Sequence, residues 1–242
     1  MTRELLTIMS NNPIAEQTYM MTLGGDTSAI LASGQFINIK LDEHFLRRPM
    51  SIAKWEKDRL TIIYRVVGSG TKTLSTYNEG KILDTLVGLG NGFDVDKAKG
   101  KRIVLIGGSL GVAPLLGLAK ILKDKGERFD VVIGFNEARL VFGYEDLKLY
   151  AEKVTITTLD GSSGIKGVVT DAIEEERYSY YFTCGSENML RAVHKLNMEG
   201  QLSFEARMGC GFGACMGCSC RTLTGYKRIC VEGPIMNSTD II

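Results

Sequence analysis

Between Leu5 and Gly68 short apolar runs alternate with turns: LLTIMS, QTYMMTLGG, QFINIKL, PMSIAKW and RLTIIYRVVG. Each run is rich in Ile, Val, Thr and aromatic residues and partly alternates, which predicts antiparallel strands closing into a small barrel or sandwich over about residues 1–97. The pattern changes at Lys101. RIVLIGG is continuously apolar, as suits a strand buried on both faces, and it is followed by the helix-like VAPLLGLAKILKDKG and then the strand DVVIGF. VTITTLD and YSYYFTCG continue as strands, with helices expected over VVTDAIEEE and ENMLRAVHKLNMEG. This alternation predicts a doubly wound, nucleotide-binding type of sheet over residues 98–200. The last segment, 201–242, is too short for an apolar core of its own and is expected to need a metal to fold. The expected fold class is α/β plus all-β, in three modules.

Composition narrows the partners more than the fold. Among 242 residues, 29 Lys and Arg stand against 28 Asp and Glu, so no large single-signed field is available to draw in nucleic acid or an anionic membrane. No apolar run approaches the roughly 20 residues needed to cross a bilayer, and MTRELLTIMSNN lacks the charged-then-apolar order of a signal peptide. A cytoplasmic protein is expected, in which six cysteines serve metal or redox chemistry rather than a disulfide framework.

Four of those cysteines fall within CGFGACMGCSC, from Cys210 to Cys220. Cys210, Cys215 and Cys218 are spaced C-x4-C-x2-C, with Cys230 further on, which is the plant-type [2Fe-2S] arrangement of three thiolates in one loop and a fourth from a more distant strand. Gly211, Gly213 and Gly217 allow the loop to curl and to aim backbone N–H groups at sulfur. Four thiolates also satisfy zinc, although zinc sites more often use two separated C-x2-4-C pairs. Cys220 is surplus and reads as a small packed side chain.

Other stretches suit phosphate. GGSLGVAPL, from Gly107 to Leu115, lies between a predicted strand and a predicted helix, where backbone donors and the helix N-terminus would hold a dinucleotide phosphate; Ser109 and Val112 interrupt the full G-x-G-x-x-G pattern. TCG places Cys184 at the carboxyl edge of the same sheet, where open α/β folds bind ligands. In the first module, RRPMS offers an arginine fork and YRVVGSGT offers Gly68, Gly70 and Thr71 for a second phosphate. Tyr64 either stacks on an adenine or fills the barrel wall. His44 and His194 have no evident partners, and no nucleophile elbow or metalloprotease helix is present, so no catalytic residue is assigned.

A nicotinamide gives up two electrons as hydride, whereas an iron–sulfur cluster passes one at a time. Flavin converts between the two, so a chain with both modules calls for a flavin, most naturally in the barrel. In order, RRPMS, YRVVGSGT, GLGNGF, GGSLGVAPL, TCGSENM and CGFGACMGCSC resemble the ferredoxin-reductase-like superfamily, and within it the electron-transfer subunits of type B, NAD-dependent dihydroorotate dehydrogenases. The resemblance spans nearly the whole chain. It implies an FAD-binding barrel, an NAD-binding domain and a [2Fe-2S] domain, working with a separate FMN-containing catalytic subunit in a heterotetramer of two plus two. It also implies that Arg48, Pro49, Met50 and Ser51 line FAD, that Ile63, Tyr64 and Arg65 follow its ribose and adenine, and that Gly70 and Thr71 meet its pyrophosphate. Gly107, Gly108 and Gly111 would approach NAD, Cys184 and Gly185 would sit beside the nicotinamide, and Cys210, Cys215, Cys218 and Cys230 would bind the cluster. Met50 stands where wider relatives carry tyrosine, and Ser109 where a glycine is usual. Glu137 suits the ribose hydroxyl of NAD, while nearby Arg139 suits the extra phosphate of NADP. Related flavin and iron–sulfur subunits of the sulfide dehydrogenase or transhydrogenase type, and a non-catalytic zinc-binding module, remain open alternatives.

Overall fold

The computed structural model describes residues 1–241. Its N-terminal part is a closed six-stranded antiparallel barrel, built from β1 (Thr2–Ala15), β2 (Thr18–Gly24), β3 (Phe36–Ile39), β4 (Arg48–Glu56), β5 (Arg59–Arg65) and, after the short helix α1 (Ser69–Ser75), β6 (Ile82–Leu89). The strands run in the order β1-β2-β5-β4-β3-β6. On β6 the alternation is nearly strict, with Leu83, Thr85, Val87 and Leu89 turned inward, as period-2 patterning requires. Leu6, Ile8, Met21, Leu23, Ile37 and Ile62 join them in the barrel core.

The second part is a seven-stranded sheet. In chain order it comprises β7 (Ile103–Gly108), helix α2 (Val112–Asp124), β8 (Phe129–Phe135), helix α3 (Tyr144–Lys148), β9 (Lys153–Thr158), β10 (Ile165–Lys166), β11 (Tyr180–Cys184), helix α4 (Glu187–His194) and β12 (Glu199–Ser203). After the small hairpin of β13 (Ser219–Thr222) and β14 (Gly225–Arg228), the chain returns as β15 (Ile235–Asn237). The order β10-β9-β8-β7-β11-β12-β15 is parallel except for β15, which pairs antiparallel with β12. Strand order reverses between β7 and β11, so the crevice at their carboxyl ends is the place where such sheets bind ligands. The expected helix over VVTDAIEEE is a correction: this stretch forms only 3-10 turns at Val169–Ala172 and Glu175–Arg177. Val169 is pinned into the core beneath α4, so the segment is held by packing against the sheet rather than by helical periodicity. The expected helix at ENMLRAVHKLNMEG ends at His194, and Glu199 already begins β12. That strand runs across the expected division at residue 200.

Barrel and sheet share a core. Ala53 and Ile63 of the barrel are buried with Leu115, Leu116 and Ala119 of α2, and Ser33 Oγ donates to Pro114 O across a buried contact at 2.8 Å. A Cβ on Gly117 would lie 2.7 Å from Ala53 O, so this glycine is what lets α2 lie on β4. Replacing Gly117 with valine therefore forces the helix outward, at about 1–3 kcal/mol for overpacking, and thermal unfolding followed by circular dichroism should fall by several degrees. An unchanged midpoint would mean that the approach of α2 to β4 is not tight.

Candidate functional site

Three surfaces meet at the carboxyl edge of the sheet. A cleft of about 200 Å³ is lined by Phe36, Pro49, Met50 and Ser51 of the barrel, Cys184 and Ser203 of the sheet, and Phe204, Glu205, Ala206, Met208 and Pro234 of the segment that follows. Ser51 is exposed to it, and Pro49 and Met50 are half-buried. A second cavity, of about 290 Å³, lies over the ends of β7, β8 and β9, bounded by Gly108, Ser109, Gly134, Phe135, Asn136, Thr157, Val169, Ser186 and Met189.

The glycines of the strand-to-helix turn are required by close approach. A Cβ on Gly107 would lie 2.9 Å from Leu115, one on Gly108 would strike the Met189 sulfur, and one on Gly111 would run into the Cys184 carbonyl. Gly185 likewise leaves room for Met189. Ser109 has φ of +52°, so a non-glycine residue is held in the left-handed region at this turn, at a cost in strain. The turn thus brings Gly107, Gly108, Gly111, Cys184 and Gly185 to one edge, with Cys184 in register opposite Gly107.

On the barrel, Arg48 lies directly over Gly70 at the start of α1, with no room between them for a Cβ. Arg48 Nη2 lies 3.1 Å from His44 Nδ1, and His44 Nε2 lies 3.3 Å from Thr73 Oγ1, so His44 braces the arginine, a role its sequence surroundings did not reveal. Thr71 Oγ1 accepts the N–H groups of Val67 and Gly68 at 2.9 and 3.2 Å, which shapes the turn. Tyr64 is not beside these groups. Its ring is buried in the barrel, stacked on Tyr19 at 5.7 Å, and its hydroxyl donates to Asn11 Oδ1 at 2.9 Å while Asn11 Nδ2 donates to Leu74 O and Tyr77 O. It therefore supports α1 from inside, filling the barrel wall. Ile63 is buried against the sheet. Arg65 donates through Nε to Thr18 Oγ1 at 3.4 Å, while its Nη2 is buried without a partner. That orphaned donor fits an anionic group such as a phosphate.

The cysteine loop curls through left-handed residues at Gly211 (φ +78°), Gly213 (φ +91°) and Met216 (φ +60°). Its sulfurs form two pairs. Cys218 Sγ and Cys230 Sγ are 3.2 Å apart, while Cys210 N donates to Cys215 Sγ at 3.4 Å and Cys215 N and Ala214 N donate to Cys210 Sγ at 3.4 and 3.2 Å. Among the described residues no three His, Cys, Asp or Glu side chains group about a single metal position; two pairs of thiols suit a binuclear iron–sulfur centre, which takes two thiolates at each iron. Burial acts to push the Cys210 thiol up, but donation from Phe212 N–H, from Cys215 and from Ala214 N–H outweighs it and draws it down to about 6, toward the thiolate a metal needs. Arg228 donates to Gly213 O at 3.0 Å and sets a positive charge near Cys230 and Cys218.

Two amides that sequence reasoning missed tie this loop down. Asn38 of β3 donates to Cys210 O at 3.0 Å. Asn91, within GLGNGF, donates to Glu232 O and Ile235 O and accepts from Ile235 N. Both contacts are far apart in sequence, so no local pattern announces them. Cys220 is half-buried and packs with Phe36, Leu89, Cys218 and Cys230. Glu205, also unmarked by sequence, is open to the cleft yet walled in by it, and burial pushes its carboxyl up.

Residues 205–242 match the family described as the iron-sulfur cluster binding domain of dihydroorotate dehydrogenase B. Over its full length the chain is 39% identical to the dihydroorotate dehydrogenase B (NAD(+)), electron transfer subunit of Geobacillus sp. (strain WCH70), covering 99% of that protein. It is 40% identical to the subunit of the same name from Bacillus pumilus (strain SAFR-032), with 100% of this chain and 98% of that one aligned. Among solved structures it is similar to a chain of an NADH-dependent reduced ferredoxin-NADP oxidoreductase, with TM-score 0.85 and 27% identity over 99% of this chain and 90% of that one. It shares the fold of phthalate dioxygenase reductase, with TM-score 0.65 and 18% identity over 80% and 64% of the two chains.

Burial pushes the Cys184 thiol up to about 12, with the nearby Glu205 charge adding to this and a hydrogen bond with Ser203 opposing it; burial also raises Tyr64 and Tyr181 to about 12. The folded chain keeps these protons where the unfolded chain releases them, so stability present below the ordinary thiol value is lost as pH rises from about 9 toward about 12. Urea midpoints should therefore fall between about pH 8 and about pH 10.5, and Cys184→Ala should flatten that fall. Cys184 should also resist iodoacetamide in the native protein, by mass spectrometry, until the chain is unfolded.

Proposed function

The chain belongs to the family of dihydroorotate dehydrogenase B (NAD(+)) electron transfer subunits, and we propose on that premise that it carries electrons from an FMN-containing catalytic subunit that oxidises dihydroorotate to NAD. In this reading the barrel, 1–97, holds FAD, the sheet, 98–200, holds NAD, and residues 201–242 hold a [2Fe-2S] cluster. Bound together, these groups supply single-electron exchange at the cluster, hydride exchange at the nicotinamide, and the interconversion of the two at the flavin. The observation that carries the reading is the cleft in which Met50 and Ser51, Cys184, and the segment leading to the cysteine loop form facing walls.

The residues then have separate tasks. Arg48, held by His44 over Gly70, neutralises phosphate oxygens of FAD, and Thr71 keeps the turn in shape for them. Arg65, with its unpartnered buried Nη2, supplies a further cation toward phosphate. Pro49, Met50 and Ser51 line the flavin face of the cleft; Ile63 and Tyr64 act from behind, through packing. Gly107, Gly108 and Gly111 let the NAD pyrophosphate approach backbone N–H groups. Cys184 and Gly185 bound the nicotinamide position, where an un-ionised thiol excludes water without adding charge. Cys210, Cys215, Cys218 and Cys230 bind iron as thiolates, and the N–H groups aimed at their sulfurs stabilise the anionic cluster.

The partner docks, in this proposal, on the loop side, where Phe212, Met216 and Val231 are exposed beside the cysteines, and the assembly is a heterotetramer of two plus two. A cytoplasmic location fits; no helix among the described residues is long and apolar enough to cross a membrane. The likeness to the ferredoxin-NADP oxidoreductase chain favours one second reading, a subunit of a related flavin and iron–sulfur oxidoreductase. Co-purification decides between them: an FMN-bearing, dihydroorotate-oxidising partner supports the first, and any other redox partner the second.

Anaerobically purified protein should show flavin and iron–sulfur absorption; a colourless protein holding zinc would overturn both readings. Cys215→Ser should keep FAD, seen by its absorption, yet lower dihydroorotate-to-NAD turnover of the reconstituted complex by at least about a hundredfold, a rise of about 2.7 kcal/mol in the activation barrier. Turnover that survives in Cys215→Ser would remove the cluster from the route. The isolated chain should not oxidise dihydroorotate at all, and measurable oxidation by it would place a dihydroorotate site within these residues.

A further inference from the structure

At the carboxyl end of β8, charged side chains from two modules meet. Arg139 Nε lies 2.8 Å from Glu137 Oε2 and 2.8 Å from Glu16 Oε2, and Arg139 Nη2 donates to Glu137 Oε1 at 2.8 Å. Glu137 and Arg139 belong to the sheet, whereas Glu16 sits in the turn between β1 and β2 of the barrel. The backbone repeats the connection, for Glu16 N–H donates to Arg139 O at 3.2 Å, and Thr18 Oγ1 donates to Glu16 O at 3.0 Å. Gln17, next in the turn, is left-handed at φ +51°, so the turn is tight and presents Glu16 at a defined place.

We propose that Glu16, a barrel residue, takes part in dinucleotide selectivity by holding Arg139 against Glu137, so that the site accepts a ribose 2′-hydroxyl and rejects a 2′-phosphate. The proposal rests on the reading of the sheet as the NAD domain and deepens it. In doubly wound sheets the adenosine ribose lies beyond the second strand, where an acid binds the 2′-hydroxyl or an arginine binds the 2′-phosphate. The cavity lined by Gly134, Phe135 and Asn136 reaches the residue before Glu137. Glu137 alone would favour the hydroxyl and Arg139 alone the phosphate. With two carboxylates on one guanidinium the group carries a net charge of −1, and the arginine's Nε and one Nη2 donor are already engaged by them, which turns its fork toward the carboxylates and away from a phosphate. A 2′-phosphate would add further negative charge to this surface. The three side chains are 40%, 33% and 62% exposed for Glu16, Glu137 and Arg139, so the discrimination is moderate and weakens with salt.

The test uses the flavin- and iron-loaded protein and two probes that undergo no redox reaction, ADP-ribose and its 2′-phosphorylated counterpart, with dissociation constants measured by calorimetry at low salt. Wild-type protein should prefer ADP-ribose. Glu16→Gln should shift the preference toward the 2′-phosphorylated probe several-fold, and Glu16→Gln with Glu137→Gln by about tenfold or more. Adding Arg139→Ala to the double variant should abolish the gain, which a merely structural role for Glu16 would not predict. Preferences within about twofold of wild type in both variants, with unfolding midpoints unchanged, would overturn the proposal. Failure of the wild-type protein to bind ADP-ribose at all would overturn the nucleotide site itself, and the selectivity device with it.

Discussion

The cysteine loop has no core of its own and borrows one. Cys218, Cys230 and Ile229 are buried together with Phe36 and Leu89 of the barrel and Met236 of the sheet edge, so a single apolar seam joins all three modules. Electron transfer is sensitive to the separation of the groups that exchange electrons, and this seam is what fixes the loop relative to the cleft. Asn38 and Asn91 add directional hydrogen bonds at its two ends. Because these amides bind backbone carbonyls rather than side chains, they set the path of the loop without depending on which side chains it displays.

Much of this architecture is legible in the residues themselves. Continuous apolar runs such as RIVLIGG mark strands buried on both faces, and the Cys spacing marks the metal loop, because each depends on neighbours in sequence. What escapes notice depends on distant ones. β6 is strictly patterned, yet its partners β1 and β3 are far off in the chain. VVTDAIEEE has helical composition, but burial of Val169 under α4 and the Asp171 side chain accepting from Val168 N–H hold it in a 3-10 turn, so tertiary packing overrides propensity. The cysteine segment is not a separate tail: β12 and β15 flank it within the sheet, a pairing between distant residues that composition does not announce.

The candidate site shows the same division. The four cysteines, Arg48 and the glycines of the nucleotide turn stand out locally; the structure gathers the glycines with Cys184 at one edge of the sheet, seats Arg48 over Gly70 on the barrel, and pairs the cysteines within their own loop. Tyr64 was ambiguous for a physical reason: an aromatic on a barrel strand can face either way, and here the hydrogen bond to Asn11 fixes it inward. Glu205, His44, Asn38 and Glu16 are polar residues without sequence context, and only their surroundings in the fold distinguish them from solvated side chains. Ser109 interrupts the glycine pattern yet has a left-handed backbone, a conformation that its residue type does not announce.

Ser203 pairs with Ile235 across β12 and β15, so the cysteine segment starts and finishes at one place on the sheet edge. Residues 204–234 leave the sheet and return to it at adjacent points, as an insertion does, and not as a dangling tail. Any segment grafted in its place must therefore match two things at once, the entry and exit fixed by Ser203 and Ile235 and the apolar surface that Phe36 and Leu89 offer from the barrel.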